Sequence, residues 1–324
     1  MTKPVLLQTG TMLALIERET AGPFDVKRLH DAKDREAFIA EIGPSVRAVV
    51  TGGHTGVKTD DALMARLPNL KIIANFGVGY DSVDVAAAAR RGIVITNTPD
   101  VLTEEVADTS IGLMIMTVRE LSAAERYLRQ GRWAKEGDYR LTPASLRNRK
   151  LGIAGMGRIG QAIARRAAAF DMPISYFART KRPELPFTFF GDLVEMAKAV
   201  DILMVITPGG PATRNLIDAK VLAALGPNGI LINMARGSVV DEAALITALR
   251  NGTIMAAGLD VFMNEPNINP DLMTLPNTVL LPHVGSASMH TRDQMGQLVV
   301  DNLVAFSKGQ PPTTPVPETP FKGW

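Results

Sequence analysis

The chain has 324 residues, 46% of them hydrophobic, and its 35 basic and 33 acidic residues leave a formal net charge of +2. This length predicts two domains with sizeable cores, and the scattered charges indicate neither a nucleic-acid partner nor an anionic membrane. The absence of cysteine excludes disulfides, thiolate metal sites and a cysteine nucleophile.

The histidines and the N-terminus bear on metal binding and on membrane association. Four histidines (His30, His54, His283 and His290) show no ligand spacing, so no metal is expected. The first ten residues lack a long apolar run and a small-residue cleavage site, and no stretch approaches the roughly 18 apolar residues of a membrane span. We therefore expect no membrane association and a cytoplasmic location.

Short β-branched runs alternate with helical patterns in the first part of the chain. Strands are predicted at 4–8, 46–52, 71–77 and 93–97, and helical patterns at 34–42 and 82–92 lie between them. This alternation is typical of parallel strands covered by helices. Residues 104–133 then predict a long helix or a pair of helices, too apolar to stand exposed, which links the domains or forms a subunit contact.

A second alternating series begins at Lys150, and it predicts a second doubly wound domain. Its strands lie in LGIAGMG, PISYFAR, DILMVITP, GILINMARG, AAGLDVF and TVLLPHVG. A last helix is predicted from Ser286 or Ser288 to Gly309, returning the chain to the first domain. The proline-rich residues 310–324 are expected to be extended rather than a regular element.

Gly155, Gly157 and Gly160 have the GxGxxG spacing between a predicted strand and a predicted helix. Such glycines allow a tight turn and a close approach of backbone to a pyrophosphate, which the helix N-terminus attracts. The pattern therefore predicts a dinucleotide site. A turn that serves only packing is the alternative.

The next strand ends in a basic loop formed by Arg179, Thr180, Lys181 and Arg182. Dinucleotide sites that bind NAD carry an acidic residue about 20 positions after the glycines. Arg179 stands in that region here, and a guanidinium and its basic neighbours can bind a phosphate. The loop predicts a preference for NADPH over NADH, with a merely solvated basic turn as the alternative.

Three polar residues follow later apolar strands: Arg236, Glu265 and His283. Because the carboxyl ends of parallel strands meet at one edge of a sheet, we expect these side chains to converge on the ligand crevice. An arginine can hold a carboxylate, a histidine can donate a proton, and a glutamate beside it can orient the ring and favour its protonated form. Singly, each also fits a structural role, as a strand cap, a turn residue or a core histidine.

Six segments together resemble the D-isomer-specific 2-hydroxyacid dehydrogenases, in the order found in that family and over roughly residues 72–290. They are NFGVGYDSVDVAAAARRGIVITNTP, EEVADTSIGLMI, LGIAGMGRIGQAIARR, LINMARGSVVDEAAL, AAGLDVFMNEP and LPHVGSAS. The resemblance implies that Arg236, Glu265 and His283 form the catalytic set. It also implies a homodimer joined largely through the cofactor domains.

The same resemblance implies the domain plan and further cofactor contacts. A Rossmann cofactor domain, 99–288, is expected to be inserted into a flavodoxin-like substrate domain formed by 1–98 and 289–324. The expected contacts are Arg158 and Ile159 at the pyrophosphate, with Thr207, Asp260, His283 and Gly285 near the cofactor. Because Arg179 replaces the acid of NAD-using members, the sequence is similar to the glyoxylate and hydroxypyruvate reductase branch, which generally favours NADPH.

Substrate binding is expected at a glycine-rich turn, where backbone N–H groups of Val78 and Gly79 can point at a carboxylate, facing Arg236. NADPH then delivers hydride to C2 of a 2-oxo acid while protonated His283 donates the proton. A simple glycine turn is the alternative for this segment, and Trp133 fits either a substrate pocket across a dimer interface or packing alone.

Three other functions stay open at this stage. The shared motifs bind the carboxylate and carbonyl rather than the rest of the substrate, so a broader D-2-hydroxyacid dehydrogenase or a 3-phosphoglycerate dehydrogenase is the alternative enzyme. The absence of an appended regulatory domain weakens the second of these. A nucleotide-sensing protein similar to the related corepressors is the non-enzymatic alternative, disfavoured by the intact catalytic set.

Overall fold

A computed structural model describes residues 3–52 and 57–324, so His54 lies outside the described residues. The chain divides into two compact units. The first comprises Met1–Leu102 and Ser288–Trp324, and the second comprises Thr103–Ala287. Each unit contains an all-parallel sheet with helices, which confirms the predicted fold class of two doubly wound α/β domains. The substrate and cofactor roles of the two units stay predictions.

The first unit contains a five-stranded sheet with strand order β2-β1-β3-β4-β5, the order of flavodoxin-like folds. Its strands are β1 Val5–Gln8, β2 Asp25–Arg28, β3 Val46–Gly52, β4 Ile72–Phe76 and β5 Val94–Thr96, and its first helices are α1 Ala14–Ala21, α2 Arg35–Ile42, α3 Asp61–Ala65 and α4 Val85–Arg90. The central strands carry side chains that are fully buried, such as Leu7, Val49 and Ile73. Burial on both faces explains why these strands are continuous apolar runs.

A pair of helices fills most of the segment predicted as one helix or two, residues 104–133, so a single long helix is wrong and a pair is present. A third helix begins at the end of the segment, and the three helices follow one another along the chain. They are α5 Thr103–Val118, α6 Leu121–Arg129 and α7 Arg132–Glu136. The chain turns between them at Glu120 and Gly131, which adopt left-handed conformations with φ of 52° and 69°. Such a conformation interrupts a right-handed helix.

The second unit contains a seven-stranded sheet with strand order β12-β11-β10-β9-β6-β7-β8. Its strands are β6 Leu151–Ala154, β7 Ile174–Phe177, β8 Thr188–Phe190, β9 Ile202–Val205, β10 Ile230–Asn233, β11 Ala256–Leu259 and β12 Thr278–Leu280, and its further helices are α8 Arg158–Ala168, α9 Leu193–Ala199, α10 Ala219–Leu225, α11 Glu242–Arg250 and α12 Pro270–Thr274. The strand order reverses between β6 and β9, and open α/β sheets bind ligands at the carboxyl ends of strands at such a point.

The last helix, α13 Met289–Ser307, belongs to the first unit and packs against α1 and β4. It begins after Ser288, whose hydroxyl accepts the N–H of Thr291, and it ends before Gly309. Residues 310–324, all described, form neither a helix nor a named strand, which agrees with the prediction that they form no regular element. The tail is nevertheless anchored, because the Trp324 ring lies 4.6 Å from that of Phe306. Among the described helices, none has the length and apolar character needed to cross a membrane.

Candidate active site

The glycine-rich turn lies between β6 and α8, at the strand-order reversal of the second unit. Gly155 has a φ of 106°, and a Cβ there would lie 2.7 Å from the carbonyl oxygen of Ile206. A Cβ at Gly160 would overlap the carbonyl oxygen of Gly155. These two glycines are therefore required because β6, α8 and the residues after β9 approach one another closely.

Gly157 is different, because a Cβ at this position would meet no protein atom within 4 Å. It is the N-cap residue of α8, whose first residues are Arg158 and Ile159, and the backbone N–H groups of a helix N-terminus attract anions. Close by, at the end of β9, the buried hydroxyl of Thr207 has no hydrogen-bond partner among the described residues. A bare backbone at a helix N-terminus and an unpartnered buried hydroxyl together fit a dinucleotide.

The predicted phosphate-binding loop follows β7. Arg179, Thr180, Lys181 and Arg182 are all exposed, and none of their side chains forms an ion pair with the described residues. Their positive charge is therefore not neutralised by nearby carboxylates of the described chain. The loop has the charge and the exposure that a 2′-phosphate requires.

Arg236 follows β10 in a turn that is folded by Asn233. The Asn233 side chain accepts the N–H of Ala235 at 3.0 Å and donates to the carbonyl of Arg236 at 3.1 Å. The guanidinium of Arg236 donates to the carbonyl of Ala235 at 2.7 Å. Immediately after it, a Cβ at Gly237 would overlap the backbone of Phe262. The Arg236 turn thus packs directly against the turn that carries Glu265.

Glu265 and His283 form a direct pair, as the sequence predicts. Oε2 of Glu265 lies 2.7 Å from Nδ1 of His283, and Oε1 accepts the backbone N–H of Phe262 at 2.8 Å. Both carboxylate oxygens therefore fix the glutamate, and the glutamate fixes the imidazole. The side chains keep 18% and 26% of their exposure, so the pair is reachable from solvent. The ring presents Nε2 as its second nitrogen for proton exchange.

Asp260 holds the segment that carries His283. Its carboxylate accepts the N–H of Val284 at 2.7 Å and that of Gly285 at 2.9 Å, and the residue is only 2% exposed. Burial raises the pKa of this carboxyl above its ordinary value, although the two backbone hydrogen bonds oppose the shift. In the structure the Asp260 side chain holds the backbone of the His283 segment. The predicted closeness of Asp260 and Gly285 to the cofactor stays a prediction.

The predicted substrate turn of the first unit, with Val78 and Gly79, is held by two asparagines. Asn75 donates to the carbonyls of Gly77 and Gly79 at 3.0 and 3.1 Å, and Asn97 donates to the carbonyl of Val78 at 2.9 Å. Because a trans peptide places its N–H opposite its carbonyl, these bonds turn the N–H groups of Val78 and Gly79 away from the asparagines.

Within the described residues, neither of those N–H groups donates to a backbone or side-chain acceptor. The turn therefore has the geometry of an anion site.

Sequence reasoning identified the glycines and missed both asparagines, along with Asn233. Each of them stands at or next to the carboxyl end of a strand, and that position is the feature that could have drawn attention to them.

Among the described residues, no cluster of three or more histidine, aspartate or glutamate side chains could hold a metal ion.

Trp133 lies in α7 and is 57% exposed, and its indole N–H donates to Asp138 at 3.1 Å. Neither role considered for Trp133, a substrate pocket or packing, is decided by this contact.

Comparison with known proteins is consistent with this geometry. Residues 111–285 match the family described as D-isomer specific 2-hydroxyacid dehydrogenase, NAD binding domain. The chain is 45% identical over 311 residues to a hydroxyphenylpyruvate reductase of Plectranthus scutellarioides, which covers 96% of this chain and 98% of the relative. It is 43% identical to glyoxylate/hydroxypyruvate reductase A of Arabidopsis thaliana, with 96% of this chain and 98% of that protein covered.

A solved structure is similar over almost the whole length. It is an NADPH-dependent glyoxylate/hydroxypyruvate reductase from Sinorhizobium meliloti in complex with NADP and malonate. Its sequence is 52% identical, the TM-score is 0.91, and the match covers 99% of this chain and 98% of that one.

Proposed function

The chain belongs to the D-isomer-specific 2-hydroxyacid dehydrogenase family, and from that premise we propose that it is an NADPH-dependent reductase of small 2-oxo acids. Its proposed substrates are glyoxylate and hydroxypyruvate, and its products are glycolate and D-glycerate. The contact of 2.7 Å between His283 Nδ1 and Glu265 Oε2 carries this proposal most strongly, because it combines a proton donor with the carboxylate that orients it.

The proposed cofactor site combines the glycine turn, the N-terminus of α8 and the basic loop. Gly155, Gly157, Arg158, Ile159 and Gly160 would hold the pyrophosphate. Thr207 would bind through its unpartnered hydroxyl, and Asp260, His283 and Gly285 would lie near the nicotinamide. Arg179, Thr180, Lys181 and Arg182 would bind the 2′-phosphate, which explains a preference for NADPH. When bound, NADPH supplies the hydride that reduces the substrate carbonyl.

The residues of the chain itself supply substrate binding and the proton. Arg236 would bind the carboxylate of the 2-oxo acid and polarise its C2 carbonyl, since a guanidinium offers parallel N–H donors. His283 would hold the proton at Nε2 and donate it to the carbonyl oxygen, while Glu265 fixes the ring through Nδ1. The backbone N–H groups of Val78 and Gly79 are proposed as additional carboxylate ligands.

A broader substrate range is the second candidate, and the names of relatives favour it. One relative is the hydroxyphenylpyruvate reductase already described, and another, 45% identical over 317 residues, is a 2-ketogluconate reductase of Gluconobacter oxydans. Both names denote 2-oxo acids with a large carbon group on C2, where glyoxylate has only a hydrogen. The proposed carboxylate and carbonyl contacts do not discriminate among such groups.

A homodimer and a cytoplasmic location complete the proposal. Helices α6 and α7 expose Leu121 at 43%, Leu128 at 56% and Trp133 at 57%, and exposed apolar side chains of this size favour association with a second copy. Sedimentation velocity of the wild type and of Leu128→Asp measures whether these side chains join two chains.

The proposed chemistry is tested by His283→Ala. The variant should reduce glyoxylate about 10²- to 10⁴-fold more slowly than the wild type, the usual loss when a positioned acid is removed. It should still bind NADPH, as measured by quenching of protein fluorescence. Near-normal single-turnover reduction by this variant would contradict the assignment of His283 as the proton donor.

A further inference from the structure

The buried tyrosine of β7, Tyr176, is tied to the far end of the basic loop. Its side chain is fully buried, and its hydroxyl accepts the backbone N–H of Arg182 at 2.8 Å. The same hydroxyl donates to the carbonyl of Arg182 at 3.2 Å. A single side chain thus satisfies both backbone groups of one loop residue.

These two bonds close the loop between the strand end and Arg182. Arg179, Thr180 and Lys181 lie within the closed segment, and all three are exposed. The ring of Tyr176 also packs against Phe189 of β8, with ring centroids 5.4 Å apart. The backbone of an otherwise exposed cationic loop is therefore fixed to the core of the sheet at one point.

Fixing the backbone matters because an ordered loop binds with less loss of conformational entropy than a loose one. Ordering a long arginine or lysine side chain on binding already costs conformational entropy. A mobile backbone would have to be ordered as well, at a further cost in entropy. A hydroxyl that holds the loop before the ligand arrives should therefore favour the ligand that contacts the loop. It should leave unchanged the affinity for a ligand that does not contact the loop.

We propose that the Tyr176 hydroxyl is a positioning group for cofactor specificity: it holds residues 179–182 in the form that receives the 2′-phosphate of NADPH. This inference rests on the proposed use of NADPH. The proposal gives Tyr176 no contact with phosphate or substrate, because its side chain is buried and its hydroxyl is engaged by the backbone of Arg182.

The experiment compares three variants of the full chain. Tyr176→Phe removes the hydroxyl and keeps the ring. Phe189→Leu keeps the hydroxyl and alters the packing of the ring. Tyr127→Phe is the matched control, because Tyr127 is also buried, at 8% exposure, and its hydroxyl donates to a backbone carbonyl, that of Gly137, at 2.7 Å.

Two quantities are measured for each variant: kcat/KM with NADPH and with NADH, and the Kd of 2′,5′-ADP and of 5′-AMP. In Tyr176→Phe, kcat/KM with NADPH should fall and the Kd of 2′,5′-ADP should rise, each by about fivefold to a hundredfold. This is the range for loss of one partner of a buried hydrogen bond. The constants for NADH and 5′-AMP should stay within about twofold, a difference of less than half a kcal/mol. Both control variants should keep the wild-type preference.

Equal losses with both cofactors, or no loss with either, would overturn the role of the hydroxyl. An equal loss of preference in Phe189→Leu would assign the effect to ring packing and would overturn it too. Thermal melting separates these results from misfolding, and 2′,5′-ADP binding reports on the loop even if catalysis fails. A wild type that prefers NADH would instead refute the proposed cofactor, which is a distinguishable outcome.

Discussion

Gly237→Ala adds one methyl group where two turns of the site meet. A Cβ at Gly237 would lie closer than 3.0 Å to the carbonyl carbon and oxygen of Phe262 and to the backbone nitrogen of Met263. All three are backbone atoms, so no flexible side chain can move aside. The turn that carries Glu265 must shift, or the turn that carries Arg236 must shift.

The cost has two parts. Overpacking of this kind destabilises a protein by about 1–3 kcal/mol. The second part falls on catalysis, because the N–H of Phe262 donates to Glu265, and Glu265 holds His283. A displacement of roughly 1 Å at a reacting group can cost about 10²-fold in rate. We therefore expect kcat for glyoxylate to fall about 10²-fold, with NADPH affinity changed far less.

The assay pairs steady-state kinetics with thermal melting and NADPH binding, and Gly112→Ala is the matched control. A Cβ at Gly112, in α5 of the same unit, would meet nothing within 4 Å. The control should keep wild-type activity. A folded Gly237→Ala enzyme with wild-type kcat would refute the idea that contact between these turns sets the catalytic geometry.

Three further outcomes are expected. Asn97→Ala removes the bond that holds the Val78 carbonyl, so KM for glyoxylate should rise about fivefold while NADPH affinity, measured by titration, stays unchanged. Thr207→Val replaces a hydroxyl without a partner among the described residues, so NADPH affinity should fall by about the same factor without a lower melting temperature.

The third outcome is a pH dependence of stability in Asp260→Asn. Burial raises the pKa of the Asp260 carboxyl above its ordinary value of 3.8. The carboxyl therefore contributes to the stability of the wild type below pH 3.8, and this contribution is lost as the pH rises through the raised pKa. The melting temperature of the variant relative to wild type should therefore increase as the pH rises above about 4. A constant difference would contradict the burial effect.

The central strands of both sheets could be predicted because strands buried on two faces are continuous apolar runs. The strands β2 and β8 were missed, since both lie at sheet edges and their side chains are only partly buried. The break between α5 and α6 depends on a left-handed Glu120, a conformation that its residue type does not favour.

The candidate site divides in the same way. Glu265 and His283 could be paired from sequence because each follows a parallel strand and such ends converge. The amides of Asn75, Asn97 and Asn233 could not be assigned, because their roles depend on which carbonyls the folded turns bring within reach. The same holds for Tyr176, whose partner is the backbone of a residue six positions later.

The most direct test is a panel of glyoxylate, hydroxypyruvate, pyruvate and phosphohydroxypyruvate, each reduced with NADPH and with NADH under the same conditions. The basic loop and the similarity to glyoxylate/hydroxypyruvate reductases together predict the highest kcat/KM for glyoxylate or hydroxypyruvate with NADPH. They also predict a lower value for the same substrate with NADH. Failure to reduce any of the four acids, or a preference for NADH, would contradict the proposed function.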